Sequence, residues 1–404
     1  FIMQNYIKRK VELLLTAEWN SHLGHHRDEY FCTVNVWREC ELFPKELQDL
    51  IKDGSEGDEI VLAFSSEQLF PYDKNKIYIC DPWQFSPPDG FKSLSLRKGR
   101  FYPLGFFRGI PGIYSGNPYP GRIINLDLFG NFTLDANHPL CGYELKIKAK
   151  VLNITEKFSE LGGRCKDHWE MFLNGPGMQA RYNGEPTDFG IDNPYTFSRE
   201  DETEDTIFYA EPRLISHIDR ICHQNLVKFY SEKFPAEGKI LDLMSSYESH
   251  LPEGDYDVWG LGINLKELEA NPRLNHRIVK DINLDPNLPF PDEFFDVVVC
   301  DLSIEYVIKP LALIKEVKRV LRKGGKFFFS FSNRYFPTKV IRGWTELHEF
   351  ERMGFVLELL ARIKGLGNFS TYSLRGLPRP ADDKWFYLTR ISDPLYVVFG
   401  KRID

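Results

Sequence analysis

From Lys239 to the C-terminus, apolar runs of strand length alternate with segments of helical period, and no other feature restricts the fold of this chain so tightly. The strand-like runs are KILDLM, YDVWGLG, RIVKDI, FDVVVCDL, GKFFFSFSN, FVLELLAR and LYVVFGK. Between them, KPLALIKEVKRVLRKGG and GWTELHEFERMG have helical spacing. Such alternation predicts an α/β unit with a mostly parallel sheet covered by helices on both faces. Ahead of it, LISHIDRICHQNLVKFYSEKF repeats apolar residues every three or four positions, which predicts a helix from about Pro212.

The first half reads differently. VELLLTAEW, EYFCTVNVW and DEIVLAF alternate apolar and polar residues as strands do, and FPKELQDLIKDGSEGDE between them reads as a short helix closed by a glycine turn. Pro and Gly are dense from Phe70 to Gly121, which predicts loops and short strands. INLDLFG, NFTLDANHPLCG and YELKIKAKVLNI then form three β-like segments that complete an all-β or α+β unit. Residues 156–210 form an ordered connector in which aromatics recur, and its acidic run SREDETED is expected to be a solvated loop. At 404 residues the chain is long for one domain, so two are expected, 1–155 and 211–404.

The charge balance narrows the partners. A formal charge of −7 gives no global field toward nucleic acid or an anionic membrane, and no apolar run approaches the roughly 18 residues of a membrane span. Seven scattered cysteines without a CxxC pair predict reduced thiols, hence a cytoplasmic or organellar interior. The chain begins at Phe1 and not at Met, as expected either of a trimmed chain or of a processed protein whose targeting segment has been removed. No His/Cys pair has ligand spacing, so no metal site is expected. GLGIN at 260–264 lacks the third glycine of a dinucleotide fingerprint and ends the second strand of the unit, not the first.

The run LPFPDEFFDVVVCDLSIEYVIKPLALIKEVKRVLRKGGKFFFSFSN resembles the central part of class I S-adenosylmethionine-dependent methyltransferases of the methyltransferase type 11 kind. The resemblance covers roughly residues 212–404 and implies a Rossmann-like seven-stranded fold with S-adenosylmethionine as cofactor. It places Asp242 at the end of the first strand, with Met244, Ser245, Ser246 and Tyr247 in the loop beneath the methionine part. It puts Asp281 on the adenine amine and Ile282 against the ring. Asp301, Leu302, Ser303 and Glu305-Tyr306 then face the sulfonium and the acceptor. Two positions depart from the family. Serines replace the first loop's glycines, and Gly262 stands where the family carries the acidic residue that grips the ribose, leaving Asn264 or Glu267 to substitute. As general base, His250 comes first by its ordinary pKa and Glu305 second. Glu248 and His250 either orient an acceptor or cap the following turn. Asn333-Arg334 is a further candidate for the acceptor pocket, whereas His348-Glu349 reads as an exposed helical pair.

The phrase TLDANHPLCGYELKIKAKVLN at 133–153 resembles the SlyD-like branch of FKBP-type prolyl isomerases, with residues 66–132 corresponding to that branch's inserted flap. The family's Val-Ile-like pair becomes Phe43-Pro44, its central helix position is Leu47, and its Phe-Asp before the helix is missing. Isomerase activity is therefore not expected, and docking is. Together the resemblances imply methyl transfer to an unidentified acceptor, with an FKBP-like module that presents a protein partner or small-molecule substrate. A non-catalytic scaffold within a larger assembly, or a prolyl isomerase or chaperone, are the alternatives.

Overall fold

The structure, a computed structural model, describes residues 9–91, 94–156 and 164–404. In chain order the strands are β1 (Arg9–Asn20), β2 (Gly24–Asn35), β3 (Glu59–Phe64), β4 (Ile77–Cys80), β5 (Phe101–Pro103), β6 (Pro120–Leu126), β7 (Phe132–Asp135) and β8 (Leu145–Glu156). The second half adds β9 (Glu237–Leu243), β10 (Asp255–Gly262), β11 (His276–Val279), β12 (Phe295–Asp301), β13 (Leu321–Phe331), β14 (Leu366–Arg375) and β15 (Leu395–Arg402).

Eleven strands make one sheet in the order β11-β10-β9-β12-β13-β15-β14-β2-β1-β8-β3. From β11 to β13 all neighbours are parallel, and β15 enters antiparallel between β13 and β14. The chain steps outward from β9 to β11, then returns to the other side of β9 as β12. That reversal leaves a crevice outside the carboxyl ends of β9 and β12, where doubly wound sheets bind their ligands.

Four strands of the first half join this same sheet instead of forming a separate one. β2, β1, β8 and β3 are antiparallel to one another, and β2 pairs in parallel with β14, with Phe369 opposite Gly24 and Arg375 opposite Tyr30. A Cβ on Gly24 would stand 1.9 Å from the Phe369 carbonyl oxygen, so only glycine lets the two backbones meet there. The HLGHH stretch thus forms the β1–β2 hairpin at this junction. His26 contacts Thr371 Oγ1 at 2.7 Å, Ser373 donates to Asp28 at 2.8 Å, and Tyr372 donates to Glu29 at 2.7 Å.

Strands β4, β7, β6 and β5 form a separate sheet inserted between β3 and β8. The asparagine of NHPL ties its two ends together. Asn137 Oδ1 accepts from Asp73 N at 2.9 Å, while its Nδ2 donates to the Asp73 carbonyl and to Asp135.

Two sequence expectations fail locally. FVLELLAR is not a strand but the second half of helix Glu349–Ala361, and the strand in its place is β14, further on. A short apolar run does not distinguish a buried helix from a buried strand. His348 and Glu351 form a capping box that starts the helix, and Glu351–Leu360 is buried throughout. The helix is gripped from the other half: Arg181 bonds Glu358 with two nitrogens at 2.7 Å, and Phe101 N donates to Glu351 at 2.9 Å. The helix expected from Pro212 begins only at Arg220, because Asp219 caps it by accepting from Ile221 N and Cys222 N. Residues before the cap are left free to line the site.

All seven cysteines are free thiols. No helix among the described residues is long and apolar enough to cross a membrane.

Candidate active site

The loop after β9 survives without glycines because side chains hold it. Asp242 Oδ2 accepts from the hydroxyls of Ser245 and Ser249, and Asn271 Nδ2 donates to Ser246 O and Ser249 Oγ, each at 2.8 Å. The left-handed conformation falls on Met244 at φ 61°, and the serines keep negative φ. Leu302, just after β12, is likewise left-handed at φ 52°. Non-glycine residues in this region carry strain and cluster at functional sites.

A cavity opens outside the ends of β9, β10 and β12. Of the residues expected to hold a cofactor, Asp242, Met244, Ser245, Ser246, Gly262, Asp281, Ile282, Asp301, Leu302 and Ser303 line it, as do Glu248 and His250. Tyr247 and Asn264 do not. Asn264 is consumed as the cap of helix Leu265–Ala270 and as a donor to the carbonyls of Tyr209 and Ala210. Glu267 is on the wall, its Oε1 accepting from Arg213 N at 2.6 Å. Gly262 is glycine for a steric reason: a Cβ there would lie 2.1 Å from the Ser245 carbonyl oxygen, in a loop whose Ser245 N donates to Leu261 O.

Of the rest of the wall, Tyr306 and Arg334 were expected beside the acceptor and the other residues were not legible as such. Asp205, Tyr209, Arg213 and His217 roof the cavity from the segment read as an acidic loop and a helix, and Tyr306, Arg334 and Phe336 close it from β12 and β13. The acidic run is therefore only partly solvated. Asp205 is buried, pairs with Arg199 at 2.7 Å and Lys339 at 3.3 Å, and accepts from Asn283. The guanidinium of Arg213 packs over the rings of Phe208, Tyr209 and Phe336. His348 and Glu349 lie off the wall: His348 caps its helix and Glu349 accepts from Tyr396.

Burial governs the charges. Asp301, held by Tyr230 and Ser330, is pushed up to about 7 by burial and by Asp242, and burial raises Asp242 to about 6 against its two serine bonds. Glu305 is fully buried with both carboxylate oxygens unpartnered, and burial lifts it to about 8. It is off the cavity wall and protonated at neutral pH, which does not suit a base. His250 is lowered to about 3 by burial and by His223 and His217, far from the range of an efficient general base.

The raised carboxyls set a pH dependence. A carboxyl whose folded pKa lies above its unfolded value contributes stability below the unfolded pKa, and that contribution is lost as pH rises through the folded one. The two aspartates are therefore expected to subtract stability from the ligand-free protein between roughly pH 4 and 7, and Asp301→Asn is expected to remove its part of that slope. Thermal melts of both proteins across the range check it, and an unchanged slope in the variant would contradict it.

Residues 243–329 match the family model of a methyltransferase domain. The match spans β9's end to β13, the elements that build the cavity, and a domain of this kind takes S-adenosylmethionine as its methyl donor. No curated protein matches the chain. Among solved structures it is similar to an S-adenosylmethionine-dependent methyltransferase from Methanosarcina mazei, with 16% identity over 44% of this chain and 98% of that one and a TM-score of 0.28. Another from Mesorhizobium loti shows 18% identity over 43% and 96% at 0.28, and one from Thermotoga maritima 16% over 46% and 90% at 0.32. Scores this low leave the fold to rest on the strand order.

Proposed function

We propose that the chain is an S-adenosylmethionine-dependent methyltransferase whose first half docks the acceptor or a partner protein. The observation that carries this reading is the cavity at the switch between β9 and β12, lined by most of the residues that the methyltransferase resemblance assigns to the cofactor. They fit the group. Asp281, its Oδ1 held by Asn283 N and Leu284 N, offers a carboxylate to an amine, and Ile282 supplies apolar wall. Ser246 offers a hydroxyl at the methionine end, where Ser245 already donates its own to Asp242, and Glu267 takes the place of the ribose carboxylate that position 262 cannot accommodate. The bound cofactor supplies an electrophilic methyl group. The protein's task is then to align and desolvate the nucleophile, and Tyr209, Tyr306, Tyr335 and Phe336 provide a water-excluding wall for that.

The docking role draws on an antiparallel β2-β1-β8-β3 unit with helix Lys45–Asp53 against it and a β-sheet inserted within it, features that support the FKBP-like reading. Leu128, Phe129 and Ile79 on the insert are almost wholly exposed, apolar surface suited to a partner chain. Phe43 and Leu47, where an isomerase would open an aromatic cup, are buried in the core, which favours docking over isomerase chemistry.

Calorimetric titration with S-adenosylmethionine and S-adenosylhomocysteine tests the reading. Micromolar-range binding is expected, weakened at least ~10-fold in Asp281→Ala through loss of a charge-assisted hydrogen bond. No heat at millimolar ligand would leave the scaffold reading.

A further inference from the structure

We propose that His223, Glu248 and His250 form a binding site for one divalent transition-metal ion at the edge of the cavity. Their ligating atoms, one from each residue, all lie within 4.8 Å of one another. His223 Nδ1 stands 2.9 Å from His250 Nδ1 and 3.5 Å from Glu248 Oε1. Donor atoms about 2.0–2.1 Å from a tetrahedral zinc ion stand about 3.3 Å apart, so the two distances bracket what one ion requires.

The surroundings orient the set. Ser216 Oγ donates to Glu248 Oε2 at 2.8 Å, fixing the carboxylate with its other oxygen toward His223, the kind of outer contact that aims metal ligands. Ser249, between the two loop ligands, is anchored to Asp242 and Asn271, so the loop that carries Glu248 and His250 is held in place. His223 comes from the first turn of helix Arg220–Lys233, positioned by its Asp219 cap. Two imidazoles and a carboxylate suit zinc, iron, cobalt or nickel, and not magnesium or calcium, which take oxygen donors.

Three protein ligands leave coordination positions open, the pattern of reactive and not of purely structural sites. Glu248 and His250 line the cavity, so an ion held by them borders the space where an acceptor must lie. A hydroxyl or thiol of the acceptor bound to the ion would lose its proton to solvent water more readily, and its oxygen or sulfur would take the methyl as the donor's carbon–sulfonium bond breaks and leaves a neutral thioether. This role rests on the methyl-transfer reading; the metal site itself does not.

The test strips the protein with a chelator and titrates it with Co²⁺. One saturable equivalent is expected, with visible d–d absorption of a low-coordinate ion, displaced by Zn²⁺. His223→Ala and Glu248→Gln, both at partly exposed side chains, are each expected to weaken Co²⁺ binding at least ~10-fold with the metal-free melting curve unchanged. Independently, Zn²⁺ is expected to protect the partly exposed His223 of the wild type from diethyl pyrocarbonate. Absence of a saturable band, equal Co²⁺ affinity in wild type and variants, or an unprotected His223 would each overturn the site and leave the two imidazoles as a simple hydrogen-bonded pair. Donor titration of the same metal-free protein separates the proposals. Co²⁺ binding without donor heat keeps the metal site and removes methyl transfer; donor heat without Co²⁺ binding does the reverse.

Discussion

Gly24→Val is expected to destabilise the whole chain by about 3 kcal/mol or more, beyond the usual range for a surface hairpin position. The Cβ would meet the Phe369 carbonyl oxygen at 1.9 Å and its carbon at 2.7 Å, and neither strand can yield alone. β2 is bound to β1 on its other side, and β14 to β15. Relief by parting β2 from β14 is costly as well. His26 and Thr371, Asp28 and Ser373, and Glu29 and Tyr372 are buried pairs across that seam, and opening it leaves polar groups unpaired away from water. Denaturant midpoints followed by a probe in each half should fall together in the valine variant, and by less in Gly24→Ala. A shift confined to the first half would mean that the sheet does not couple the two.

The sequence disclosed elements better than their meetings. β9, β10, β12, β13 and β15 were readable because each is an apolar run punctuated by turn residues. β14 was missed because its sequence, LGNFSTYSLR, carries polar side chains that face the junction with β2, and polar positions in a strand look like loop until their partners are known. The same holds at the site. Asp242, Asp281 and Asp301 announce themselves at strand ends, whereas Arg213, His217 and Asp205 look like parts of a helix and a solvated loop until the Asp219 cap and the Arg199–Asp205–Lys339 ion pairs are seen. His223 and His250 stand 27 residues apart, a separation that no ligand-spacing rule covers, so the expectation of no metal site was drawn from local spacing alone.

Gly262→Asp is expected to lower affinity for S-adenosylmethionine by at least ~10-fold, about 1.4 kcal/mol, although it restores the acidic residue that resembling methyltransferases carry at this position. In those proteins the loop carries glycines where serines stand here. Here the loop of Met244 to Ser249 is drawn in by Asp242 and Asn271, and the Ser245 carbonyl fills the place of a Cβ. An aspartate must push Ser245 outward, which breaks its bond from N to Leu261 O and disturbs Met244 in its left-handed turn. The function of the lost carboxylate is assigned instead to Glu267, one turn along the helix that Asn264 caps, so Glu267→Gln is expected to weaken donor binding by a similar factor without disturbing the loop. Calorimetry of the two single variants and the double variant decides between them. If Gly262→Asp bound the donor more tightly and rescued Glu267→Gln, the loop would have to move aside at little cost, and the replacement of glycines by hydrogen-bonded serines would lose its structural meaning.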